Sequence, residues 1–62
     1  MGIKERGVIP PVQVEVFRDG RWHRGQLDRW SQQPDGWYGQ VRIDQLGLTN
    51  WYHYPDHLRK VG

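Results

Sequence analysis

The chain has no cysteine, so neither disulfides nor the thiolate ligands of most structural zinc sites can hold it together. No apolar run approaches the roughly 18 residues of a membrane-spanning helix, and the opening MGIKERGVIPP lacks the continuous apolar stretch of a signal peptide. The expectation is a cytoplasmic protein with no membrane partner. A glycine-rich phosphate loop is also missing, the single serine, Ser31, lies in a polar stretch, and the carboxylates are scattered. No catalytic constellation emerges, and no cofactor is implied. His53 and His57 are separated by Pro55 and share no helix face, so with His23 they make no metal site.

At 62 residues the chain makes one domain, and a chain this short buries only about 60% of the surface its unfolded form exposes. Large rings are the remaining means of stabilising it. Four Trp, three Tyr and one Phe supply them, and rings bury more apolar area per ordered residue than any other side chain. The formal net charge of +2 comes from seven Arg and two Lys against seven acids, which permits an anionic partner without demanding one.

Residues 1–10 mix charge, Gly and isolated aliphatics and run into Pro10-Pro11, the pattern of a flexible N-terminal arm, with residues 11–62 left to form the folded unit. VQVEVF alternates, with Val12, Val14 and Val16 on one face of a half-buried strand. Asp19-Gly20 is a two-residue hairpin signal, because both positions tolerate positive φ. The return strand RWHRGQLDRW turns Gly25 and Leu27 inward and Trp22, Arg24, Gln26, Asp28 and Trp30 outward, with Gly25 marking a bend or a close backbone approach. After the polar loop SQQPDG, WYGQVRI places Trp37, Gly39, Val41 and Ile43 on the inner face and Tyr38, Gln40 and Arg42 on the outer. TNWYHYP makes a fourth strand, with Trp51 and His53 inward and Tyr52 and Tyr54 outward. PDHL reads as a single 3-10 turn, and RKV as a short last strand. The sum is an all-β fold, a small five-stranded antiparallel barrel.

VEVFRDGRWHRGQL resembles the opening hairpin of Tudor and agenet-type domains, members of the SH3-like barrel class. DGWYGQVRI is similar to their third strand, and WYHYPDHLRKV to the strand, single turn and last strand that end such barrels. The likeness spans residues 12–61 and implies an SH3-like barrel. Tudor domains that read methylated Arg or Lys use an aromatic cage, whose matching positions here are Val16 and His23, so Phe17, Tyr38 or Tyr52 would have to stand in. WHRGQLDRW, PDGWYGQV and YHYPDHLRKV are also similar to the strands of type II, plasmid-borne dihydrofolate reductases, in which four chains surround a pore lined by a Val-Gln-Ile-Tyr run. Trp51, Tyr52, His53 and Tyr54 stand at those positions, and the pore lysine of the first strand falls near Val16 or Phe17. That resemblance implies, as one alternative, an oligomeric NADPH-dependent oxidoreductase. The fold does not choose between these functions.

The expected core is Leu27, Trp37, Val41, Ile43, Trp51, Leu58, Val61 and the three valines of the first strand. The expected binding face is Trp22, Arg24, Trp30, Tyr38, Arg42, Tyr52 and Tyr54. Arginine between rings is the composition of protein interface hot spots and equally of single-stranded nucleic-acid platforms. The expected function is a non-enzymatic binding module that contacts a protein or peptide, a second copy of itself included as a homo-oligomer. Single-stranded or duplex nucleic acid is the alternative partner. Glu15, Asp28 and Asp44 dilute any phosphate track and favour the protein.

Overall fold

In the computed structural model, which describes residues 4–61, one antiparallel sheet curls into a half-barrel. Its strands are β1 (Lys4–Arg18), β2 (Arg21–Gln33), β3 (Gly36–Ile43), β4 (Thr49–Tyr54) and β5 (Leu58–Lys60), in the order β4-β3-β2-β1-β5. The fold is all-β with five antiparallel strands, as the alternation of side chains requires, and it is compatible with an SH3-like barrel. Among the described residues, no helix is long and apolar enough to cross a membrane.

Asp19 and Gly20 take φ of 55° and 80°, the conformation a two-residue hairpin demands. β1 reaches back to Lys4, into the stretch read as an arm: Lys4, Glu5, Arg6 and Gly7 pair with Gln32, Ser31, Trp30 and Arg29 of β2. Residues 1–3 of that stretch lie outside the described residues. Ahead of β5, residues 55–57 form a turn in which the His57 N–H donates to the His53 carbonyl at 2.9 Å. That bond spans four residues, whereas the expected 3-10 turn spans three.

Val14, Val16, Leu27, Val41, Ile43 and Leu58 are buried as their strand alternation predicts. Two glycines let them close up. A Cβ on Gly25 would lie 2.6 Å from the Arg42 carbonyl oxygen, the close backbone approach its position signals, and one on Gly39 would lie 2.6 Å from Leu58 Cδ2 and 2.7 Å from Leu27 Cδ1. Leu27 and Leu58 thus meet over bare backbone, which ties the three-residue β5 to the far side of the sheet.

The structure corrects the expected facing at several rings. Trp51, expected in the core, is 38% exposed, while Tyr52, expected outward, is 8% exposed and belongs to the core. β4 pairs Tyr52 with Gly39 and Trp51 with Gln40, one residue out of phase with the expected facing, and such a slip exchanges every side chain between faces. Tyr54 therefore also turns inward, opposite Trp37, and His53 outward, opposite Tyr38. Trp30 changes sides for another reason. Leu27 pairs with Val41 but Arg29 with Gln40, so Asp28 is an extra residue in β2, a β-bulge that reverses the alternation and sets Trp30 opposite Gly39. Val12, expected in the core, is 45% exposed, and Trp37 and Val61 are half-buried, because all three sit at the open end of the half-barrel.

Candidate functional site

The residues expected on one binding face separate. By strand register, Trp22, Arg24, Tyr38 and Arg42 lie on the convex side, Trp30 and Tyr54 on the concave side, and Tyr52 in the core. On the convex side Trp22 is already engaged: the Arg59 guanidinium sits 3.9 Å over its ring and Phe17 meets it edge-on at 5.3 Å. Arg59 Nε also donates to Glu15 Oε1 at 2.9 Å, so this cluster fastens β5 to β1 and β2. Trp51 takes the place on this side that Tyr52 was expected to hold, beside Tyr38, Glu5 and buried Ser31 around a shallow pocket of about 360 Å³.

The concave side gathers a different set. Trp30 stands edge-on to Trp37, with ring centres 6.2 Å apart at 85°, and edge-on to Tyr54, 5.6 Å apart at 84°. The bulge at Asp28 delivers Trp30, the β3–β4 pairing delivers Trp37 and Tyr54 together, and Trp30 and Trp37 are partly buried while Tyr54 is exposed. Two adjoining pockets, of about 390 and 280 Å³, share Trp30, Tyr54 and Lys60. The larger continues over Val8, Val12 and Leu58, and the smaller runs between Arg6 and Trp37. Together they form a groove with an aromatic corner, an aliphatic trough and two cationic side chains at its rim. The larger pocket alone, at about 390 Å³, falls within the range of about 300–1,000 Å³ in which ligands are held. The sequence marks Arg6 only as a basic residue of the arm, a candidate phosphate contact with Lys4, and Lys60 not at all, because both join the groove through long-range pairing: Arg6 through Trp30 and Lys60 through Val14.

On the convex side a polar cluster joins two turns. Tyr38 OH donates to Asp35 Oδ2 at 2.8 Å, His53 Nε2 donates to the Asp35 carbonyl at 3.1 Å, and His53 Nδ1 lies 3.0 Å from Asp56 Oδ2. Both His53 partners are acceptors, so both bonds form only when the ring carries two protons. The Asp35 carbonyl first, and then the Asp56 carboxylate, hold the His53 pKa above its ordinary value of 6.5, against the opposing effect of burial. Tyr38 is likewise raised, chiefly by its bond to Asp35. Because the folded value of His53 is the higher one, its contribution to stability is complete below pH 6.5 and is lost as pH rises through the folded value. The urea midpoint is therefore expected to be higher in mildly acidic than in mildly alkaline buffer, and His53→Gln should remove most of the difference. A midpoint that rises with pH in the native protein and is unchanged by His53→Gln would contradict this assignment.

Among the described residues, no group of three or more metal-ligating side chains comes together. No family model matches the chain, and neither a curated protein nor a solved structure matches it. The groove and the two faces of the sheet are the grounds on which a function is read.

Proposed function

We propose that this chain is a non-enzymatic binding module of the SH3-like, Tudor-type class, and that its site is the concave groove at Trp30, Trp37 and Tyr54, where a segment of a partner protein is seated. The observation that carries this reading is the corner in which Tyr54 and Trp37 each stand edge-on to Trp30, at 5.6 and 6.2 Å, partly open to solvent, with Trp30 and Tyr54 continuing into an aliphatic trough. Rings fixed by mutual packing offer large apolar contact at little further entropic cost, the property of interface anchors. An exposed aliphatic points the same way: Val12, 45% exposed, lines the trough. Tyr52, at the position of the reductase pore glutamine, is buried within its own chain, which favours binding over a reductase-like pore.

Titration of the isotopically labelled protein with pools of short peptides tests the reading. The indole N–H signals of Trp30 and Trp37 are expected to shift, and Trp30→Ala to abolish the response while the protein keeps a dispersed spectrum. Shifts confined to Trp51 and Tyr38 would move the site to the convex side. A single-stranded oligonucleotide that shifts Trp22, Arg24 and Arg42 and is displaced by salt would support the nucleic-acid reading instead. Light scattering beside the titration shows whether a second copy competes for the groove.

A further inference from the structure

Resting on the reading of the groove as the binding site, we propose that its occupant is an acidic segment of a partner protein, one that places an apolar side chain in the trough and a carboxylate against Lys60 and Arg6. The rim supplies the charge argument. No acid is among the residues lining either pocket, whereas Arg6 and Lys60 both are, and Lys60 borders the two pockets alike. The acids of the chain lie elsewhere. Glu5 pairs with Arg29, Glu15 with Arg59, Asp19 with Arg18 and Asp56 with His53, while Asp35 accepts from Tyr38. Among the described residues neither Arg6 nor Lys60 is part of an ion pair. Arg59 also borders the larger pocket, but its guanidinium is turned to Glu15 and Trp22 on the other side of the sheet.

That pattern of charge sets the ligand class against two others. An aromatic corner by itself suits a methylated cation, but here two cations stand at its edge and would repel one. A nucleic acid needs ring faces presented in parallel for successive bases and a longer run of cations for its phosphates. This groove presents rings at 84° and 85° and continues into an aliphatic trough that offers a base no ring to stack on. A peptide with Asp or Glu next to Leu, Ile or Phe meets both halves at once. The apolar side chain anchors, and the carboxylate selects by complementarity and speeds encounter.

Three peptide pools, alike in aliphatic and aromatic content but carrying Asp/Glu, Asn/Gln or Lys/Arg at the remaining positions, separate the possibilities when titrated into the full chain and followed at the Trp30 and Trp37 indoles. The acidic pool is expected to bind about tenfold more tightly than the neutral one, as a charge-assisted contact implies. The double variant Arg6→Gln, Lys60→Gln is expected to erase that preference, so that the acidic pool binds no more tightly than the neutral one, with the spectrum still that of a folded protein. Equal binding of all three pools at these indoles, or a preference that survives in the double variant, overturns the acidic assignment and leaves the groove reading standing. If no pool moves the indoles, the groove reading falls and this inference with it. Tighter binding of the basic pool would return the site to cation recognition.

Discussion

Tyr52→Ala is expected to abolish the folded state at room temperature, whereas Trp51→Ala, one residue away, leaves it standing. Tyr52 lies in the core opposite Gly39, and truncating a buried ring costs about 3–5 kcal/mol, lost transfer energy and residual cavity together. A chain this short buries little surface and sits toward the low end of about 3–9 kcal/mol in all, so one such loss removes most or all of its margin. Trp51 is 38% exposed on the convex side, and its removal is expected to cost about 1 kcal/mol or less. Tyr52→Phe keeps the ring and loses only the phenolic oxygen that accepts from Arg18 Nη1 at 3.3 Å, so it should fold. Far-ultraviolet circular dichroism and amide dispersion on the three variants decide the matter. An unfolded Trp51→Ala beside a folded Tyr52→Ala would mean that β4 faces the other way.

Leu58→Ala is expected to cost about 2–5 kcal/mol in urea denaturation, more than the length of its strand suggests. β5 has three residues and pairs only with β1, at Val14, Glu15 and Val16. What secures it is Leu58, 1% exposed, whose Cδ2 reaches over the bare backbone of Gly39 two strands beyond β1. Alanine leaves a void there that Leu27 alone does not fill, because Leu27 already rests on the same glycine. Amide exchange should quicken first at Phe17, whose N–H donates to the His57 carbonyl at 2.9 Å. Val61→Ala, at a half-buried position, is the control and should cost less. A loss below about 1 kcal/mol for Leu58→Ala would show that the backbone pairing of β5, and not this side chain, closes the half-barrel.

The parts of the fold legible in the sequence are those in which polar and apolar residues alternate. VQVEVF and QVRI contain that contrast, and Val14, Val16, Val41 and Ile43 are buried accordingly. In WYHY every side chain is a ring with both apolar and polar surface, so the facing of β4 is decided elsewhere, by the register that sets Tyr52 against Gly39. The bulge at Asp28 left no local mark either. Gly25 announces a close approach two residues before Leu27, but nothing in LDRW announces that one residue will be left over when β2 pairs with β3. Since Trp30 reaches the groove through that bulge, and Arg6 and Lys60 through pairings across most of the chain, the aromatic content of the site could be read from composition but its location could not.

The rim of the groove draws Arg6 from the first strand and Lys60 from the last. The site therefore has no complete form until both ends of the chain are in place. With β5 undocked, the other four strands carry Trp30, Trp37 and Tyr54 without the cation that both pockets share, and without Leu58 to hold the curl. The groove is complete only when the long-range pairing of β1 with β5 is made. On the proposed reading, a chain whose first and last strands have not yet paired therefore offers no finished site.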